Sequence, residues 1–135
     1  CGNARLVIAG EARMEGIHGL LSKFPDQATL IDRFVPDEEL QELASASDFG
    51  VLTYRDILTS GAMFHLYSLG LPVLAPTLGT LPAYVVPGWN GALYRDEAGL
   101  RRTLAEACSM DDGLLNRHRA AAEATAAALH WGQVI

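Results

Sequence analysis

The chain has little positive charge, few cysteines and no long apolar run. It carries 10 Lys and Arg residues against 16 Asp and Glu residues, a net charge of −6, and only two of its 135 residues are cysteine. Nucleic acids and anionic membrane surfaces attract positive charge, so we expect neither as a general partner. The apolar runs stay below the ~20 residues that span a membrane. The N-terminus lacks a basic segment followed by a long apolar one, so no signal peptide is predicted.

Motifs with a defined chemistry are also missing. Cys1 and Cys108 lack the spacing of metal ligands, and free thiols in a reducing, cytoplasmic setting are the expected state. The sequence has no Gly-x-Ser-x-Gly, no Gly-x-Gly-x-x-Gly and no Walker sequence, so it gives no support to a hydrolase, a dinucleotide-binding protein or a P-loop protein. Three successive acids, Asp37 to Glu39, point in different directions around a helix and cannot hold one metal ion together. No metal site is predicted.

What the sequence does contain is an alternation of apolar runs and helical patterns, with half of its residues apolar. Predicted strands cover residues 5–9, 28–35, 48–53, 71–75 and 92–94. Predicted helices cover residues 11–24, a segment that starts at 36, residues 59–69, one turn within 81–86, and residues 96–130 with an interruption near 110–113. This alternation is typical of a doubly wound, mainly parallel, Rossmann-like α/β sheet. We expect one domain over residues 1–135, since no linker or internal boundary is evident.

The segment GVLTYRDILTSGAMFHLYSLGLPV, residues 50–73, is the most informative part of the chain. An apolar strand is followed by a polar loop and then by Thr59-Ser60-Gly61, which starts a helical pattern. The first amides of a helix lack partners within it and attract anions, and Gly61 lets a ligand approach the backbone. A phosphate or diphosphate site is therefore predicted, with a plain helix cap as the alternative. The loops that follow predicted strands should share one ligand-binding edge of the sheet; they are residues 10–16, 34–37, 54–60 and 76–81.

Several short segments occur in a fixed order along the chain. They are FVPDEEL at 34–40, ASDFGVL at 46–52, TSG at 59–61, GLPVLA at 70–75, LGTLP at 78–82 and WNGALY at 89–94. In this order and spacing they resemble the C-terminal, donor-binding domain of retaining GT-B glycosyltransferases of group 1. The resemblance covers most of the chain, from about Arg5 to Trp131.

This resemblance implies an enzyme with two Rossmann-like domains that face a cleft. The C-terminal domain would bind a nucleotide-diphosphate sugar as donor, and an N-terminal domain would hold the sugar or glycan acceptor. The sugar would be transferred with retention of configuration, with no cofactor besides the donor. The family does not bind a metal ion in the Asp-x-Asp manner, and no Asp-x-Asp occurs in this sequence.

Carried over position by position, the resemblance gives donor-binding roles to three loops. Phe34 and Val35 would frame the nucleobase through their backbone groups. The loop from Tyr54 to Asp56 would face the sugar and the diphosphate. Thr59, Ser60 and Gly61 would bind the diphosphate oxygens.

Acidic positions of the family are occupied differently in this chain. Ile57 and His65 stand where the family often has glutamates that face the donor sugar and the ribose, and Ala83 stands where a third acid is usual. Asp56 can replace the first glutamate or can be a solvated loop acid. His65 can hydrogen-bond a ribose hydroxyl or can be an ordinary helix residue. The missing acids support an alternative function, a non-catalytic α/β nucleotide-binding or interaction module derived from the same fold.

The resemblance also implies that two parts of the family's enzymes are missing. One is a first strand and helix that carry an Arg and a Lys which neutralise the diphosphate, and the other is the N-terminal domain. The chain is therefore interpreted as a fragment with no transferase activity alone. A missing strand leaves one sheet position unpaired, which favours association, including a homo-oligomer, through that edge.

Overall fold

Two parallel sheets form the framework of the chain in a computed structural model, which describes residues 4–10, 15–53 and 61–134, with side chains as far as residue 129. Every pairing between named strands in these ranges is parallel, which confirms the predicted α/β class. Contacts divide the chain into two compact units, Cys1–Leu40 and Gln41–Ile135. The single domain expected from the sequence stays a prediction.

The first unit contains strand β1 (Leu6–Ala9), helix α1 (Ile17–Leu21) and strand β2 (Ala28–Ile31), and β1 pairs with β2. Leu6 and Val7 are 46% and 44% exposed. Neighbouring residues of a strand point to opposite faces, so the apolar run of β1 is exposed on both faces. The predicted strand is confirmed, but the burial that its unbroken apolar sequence indicates is not observed, because the described residues do not cover these two side chains on the faces of the strand.

Strand β2 is shorter than the predicted strand 28–35. Its partner β1 stops at Ala9, and Gly10 then adopts a φ of 137°, a left-handed value that turns the chain. The amide of Gly10 still donates to the carbonyl of Ile31 at 3.0 Å. The residues after Ile31 leave the sheet because their partner strand has ended, although Phe34 and Val35 are apolar. Helix α2 (Asp37–Ser45) then begins as predicted, with three acids in its first turn.

The second unit is built around strand β4 (Val73–Pro76), which lies between β3 (Gly50–Val51) and β5 (Gly91–Tyr94). All four residues of β4 are buried, as its unbroken apolar sequence predicts. Helix α3 (Gly61–Ser68) connects β3 to β4 and packs against a long C-terminal helix. The buried cluster combines residues from the strands and helices of this unit; its members are Leu52, Met63, Tyr67, Val73, Ala75, Leu81, Val85 and Ala122.

Helices α4 (Leu81–Tyr84), α5 (Glu97–Cys108) and α6 (Asp112–Val134) complete the second unit. The predicted interruption of the C-terminal helix near 110–113 is confirmed. The carboxylate of Asp111 accepts a hydrogen bond from the amide of Leu114 at 2.8 Å, which helps to start α6. Within the described part of the chain, no helix combines the length and the apolar character of a membrane span.

Cys108, at the end of α5, is disulfide-bonded. The expectation of a free thiol is therefore wrong for this residue. A disulfide requires Cα atoms within about 7 Å of each other, and sequence spacing does not reveal such proximity. Disulfides are rare in cytosolic proteins, so the cysteines do not support the predicted cytoplasmic setting. That setting stays a prediction.

Asn90 joins the turn before β5 to helix α6. Its side-chain oxygen accepts from the amide of Val86 at 2.7 Å, and its amide nitrogen donates to the carbonyl of Tyr84 at 3.0 Å and to Oγ1 of Thr125 at 2.9 Å. Asn90 is fully buried, so water cannot replace these three bonds. The Asn-Gly pair of the sequence thus has a structural role, which is to fix the entry into β5.

We predict that Asn90→Ala lowers the free energy of unfolding by about 2–3 kcal/mol, because it leaves buried donors and acceptors without partners. Asn116→Ala is the matched control: Asn116 is exposed on α6, and its loss should change stability by less than about 0.5 kcal/mol. Urea unfolding of both variants measures the difference. Equal stability of the two variants would contradict the role of Asn90.

The hydroxyl of Tyr67 is a polar group in the core. Tyr67 is fully buried on α3, and its hydroxyl has no hydrogen-bond partner among the described residues. Burial raises the pKa of this phenol far above its usual range, since the ionised form would lack solvent. The folded protein therefore keeps the neutral form of Tyr67.

Tyr67→Phe should leave the free energy of unfolding unchanged or raise it by up to about 1 kcal/mol, because it removes an unsatisfied buried hydroxyl. The raised pKa also means that the wild-type chain loses stability as pH rises past about 10, where the unfolded state releases this proton and the folded state does not. The Phe variant should lose less stability over the same pH range. Urea titrations at pH 7 and pH 10.5 test both statements, and a clear loss of stability at pH 7 would contradict them.

Candidate functional site

The carboxyl ends of β3, β4 and β5 meet at one edge of the second unit. The amide of Leu52, just after β3, donates to the carbonyl of Leu74 at 2.9 Å, and the amide of Thr77, just after β4, donates to the carbonyl of Tyr94 at 2.9 Å. Ligands of parallel α/β sheets bind beyond this edge, because helix starts and loops converge there. The edge is therefore the candidate functional site.

Helix α3 points its first residue toward this edge. Its last residues lead directly into β4 through Gly70, which has a φ of 73°, so α3 runs antiparallel to β4 and begins at the carboxyl side. No described atom lies within 4 Å of a Cβ placed on Gly61. The start of α3 is thus open toward a ligand as far as the described residues are concerned.

Two of the predicted site residues lie together on α3. Gly61 begins the helix, and His65 lies one turn later on the same face, where it is exposed. Exposure leaves the His65 ring available to a ligand hydroxyl. Four others, Tyr54, Asp56, Thr59 and Ser60, lie outside the described residues, so their roles stay predictions.

The remaining predicted residues, Phe34 and Val35, belong to the first unit and follow β2. Phe34 is 74% exposed, and its carbonyl accepts a hydrogen bond from Nη1 of Arg33 at 3.2 Å. Arg33 also forms a two-pronged pair with Glu39, with Nη1 to Oε2 at 2.8 Å. The hydrogen bonds of this pair raise the pKa of Arg33 and lower the pKa of Glu39. Glu39, in the first turn of α2, therefore forms an ion pair with Arg33.

Tyr94 and Thr77 are edge residues to which sequence reasoning gave no role. The hydroxyl of Tyr94 donates to the carbonyl of Leu52, and Oγ1 of Thr77 donates to the carbonyl of Tyr94 at 3.1 Å. Partial burial raises the pKa of the Tyr94 phenol, so this group remains a donor at neutral pH. The sequence signal that could have identified Tyr94 is a tyrosine at the end of an apolar strand.

An opening of about 470 Å³ lies along α5 and β5. Its lining carries two cations, Arg95 and Arg102, and two acids, Asp96 and Glu106, so its formal charges cancel. His118 also borders it, but Nε2 of that ring is closed off from solvent, while Nδ1 donates to the carbonyl of Leu114 at 3.0 Å. This lining selects no ligand charge. In the described ranges, no group of three or more His, Cys, Asp or Glu side chains could hold a metal ion.

Solved glycosyltransferases share the architecture of this chain. Sucrose-phosphate synthase from Thermosynechococcus elongatus matches 96% of this chain and 37% of its own, with a TM-score of 0.65 and 22% identity. HepE from Anabaena, in complex with UDP and glucose, matches 91% of this chain and 35% of its own, with a TM-score of 0.74 and 17% identity. The catalytic domain of starch synthase IV from Arabidopsis thaliana, bound to ADP and acarbose, matches 89% of this chain and 34% of its own, with a TM-score of 0.64 and 15% identity.

No protein-family model and no curated protein matches the sequence. The chain spans little more than a third of each solved chain described above. At identities of 15% to 22% over 89% to 96% of this chain, these similarities establish shared architecture. The fold of this chain is therefore the Rossmann-like fold of the C-terminal domain of GT-B glycosyltransferases.

Proposed function

We propose that this chain binds the nucleotide-diphosphate part of a sugar donor for a glycosyltransferase. The observation that carries the proposal is the similarity to HepE, which was solved with UDP and with UDP-glucose, at TM-scores of 0.76 and 0.74. The open start of α3 at the carboxyl edge of the sheet supports it, because helix starts attract phosphate groups. The full enzyme would transfer the sugar with retention of configuration, as enzymes of group 1 do.

The proposed contribution of the chain to catalysis is electrostatic. Negative charge builds on the diphosphate as the bond to the sugar breaks, so donors that hold the leaving group more tightly in the transition state accelerate the reaction. The hydroxyls of Thr59 and Ser60 and the amides at the start of α3 would be these donors. His65, one turn into α3, would face the ribose.

Transfer itself would also need an acceptor, which we assign to a further domain of the GT-B type. In this proposal the 135 residues alone bind the donor nucleotide but do not catalyse transfer. The exposed apolar strand β1 would pair with a further strand, either from the same protein or from a second copy of the chain.

Replacing Thr59 and Ser60 with alanine should weaken binding of UDP and ADP to the chain. Each hydroxyl that donates to a charged phosphate contributes about 1.5–3 kcal/mol, so each replacement should raise Kd by about 10- to 150-fold. Isothermal titration calorimetry of the single variants measures this. Unchanged Kd values for both would mean that these hydroxyls only cap the helix.

Gly61→Ala separates ligand binding from helix stability. Alanine is the better helix former, and the described residues leave room for its methyl group, so thermal stability should stay the same or rise slightly. The methyl group would occupy the approach of the diphosphate and should raise the Kd for UDP and ADP about tenfold. The same calorimetric titration, combined with thermal unfolding, provides both values.

Gly113→Ala is the control for this change. Gly113 lies in the first turn of α6, and a Cβ there meets only the Asp111 carboxylate, at 3.4 Å. This variant should also keep or gain stability while its Kd stays at the wild-type value. If Gly61→Ala binds nucleotide as tightly as Gly113→Ala does, the start of α3 is not the diphosphate site.

A further inference from the structure

The geometry points to Tyr94 as a positioning residue for the diphosphate site, through the hydrogen bond from its hydroxyl to the carbonyl of Leu52. This inference rests on the function proposed above. Leu52 directly follows β3, at the start of the segment of sequence that leads to Thr59 and Ser60. Whatever fixes Leu52 therefore fixes the point from which that segment departs.

A missing ladder donor explains why Leu52 needs Tyr94. In the parallel pairing of β3 with β4, the amide of Gly50 donates to the carbonyl of Pro72 and the amide of Leu52 donates to the carbonyl of Leu74, both at 2.9 Å. The next bond of this ladder would run from the amide of residue 76 to the carbonyl of Leu52. Residue 76 is proline and has no N–H to donate.

The Tyr94 hydroxyl supplies the donor that Pro76 lacks. Tyr94 lies on β5, on the far side of β4, and its side chain reaches across to the carbonyl of Leu52. Leu52 is only 6% exposed, so water is a poor substitute for this bond. Strand β3 has just two paired residues, Gly50 and Val51, and its end would fray without the bond.

Tyr94 is itself well fixed. Its carbonyl accepts from both the amide and the hydroxyl of Thr77, at 2.9 and 3.1 Å. One residue therefore connects the carboxyl ends of all three strands, β3 through Leu52, β4 through Thr77 and β5 through its own backbone. The connection to β3 depends on the hydrogen bond from the Tyr94 hydroxyl to the carbonyl of Leu52.

The test compares Tyr94→Phe with Tyr67→Phe. Both changes remove one phenolic hydroxyl from the second unit, but the hydroxyl of Tyr67 has no described partner. Tyr94→Phe should raise the Kd for UDP and ADP about fivefold, the equivalent of one hydrogen bond, and should speed hydrogen exchange at the Leu52 amide. Tyr67→Phe should change neither quantity.

Pro76→Ala provides the rescue. Alanine restores the N–H that the ladder lacks, so the double variant Pro76→Ala/Tyr94→Phe should recover slow exchange at Leu52 and a Kd close to that of Pro76→Ala alone. A hydroxyl that touched the ligand directly would not be replaced by a backbone amide. Failure of the rescue would therefore overturn the action through Leu52.

The remaining outcomes separate this inference from the proposed function. If the wild-type chain binds neither UDP nor ADP in calorimetry, the proposed function fails, and the positioning role fails with it. If the wild-type chain binds and Tyr94→Phe binds equally well, only the role of Tyr94 is wrong. A lower melting temperature with unchanged Kd, measured well below that temperature, would likewise overturn the role, because it describes a purely structural bond.

Discussion

The complete burial of β4 is the constraint on which the site-bearing unit depends. A strand that is covered on both faces and paired on both edges has no water to satisfy its neighbours, so each nearby N–H and C=O needs a partner within the protein. The ladders with β3 and β5 supply most of these partners. Pro76 removes one donor from the β3 side, and the hydroxyl of Tyr94 takes its place at Leu52. The edge that forms the candidate site is thus held by one side chain as well as by the ladders.

The order of strands and helices could be predicted because its signals are local. Apolar runs, acids at the start of α2 and the break between α5 and α6 are each visible within a few residues. Strand lengths could not be predicted, because they depend on a distant partner: β2 ends where β1 ends, at the turn made by Gly10. The exposure of β1 escaped prediction for the same reason, since burial requires neighbours that no local pattern describes.

The candidate site was predictable to a similar degree. Helical spacing predicts that Gly61 and His65 share a face, and the strand-helix-strand order predicts that α3 starts at the carboxyl edge. The role of Tyr94 could not be found, because its partner Leu52 lies 42 residues away and the need for it follows from the register of β3 with β4. The disulfide of Cys108 was missed because it depends on spatial proximity.

Nucleotide binding at the start of α3 underlies both the proposed function and the proposed role of Tyr94. The most direct test follows the backbone amide signals of the isotopically labelled wild-type chain by nuclear magnetic resonance during a titration with UDP. Binding at the start of α3 predicts progressive shifts at the carboxyl edge, including Thr53, Gly61 and Thr77, with little change along α5. Shifts confined to α5 and its neighbouring opening, or no shifts at millimolar UDP, would contradict it.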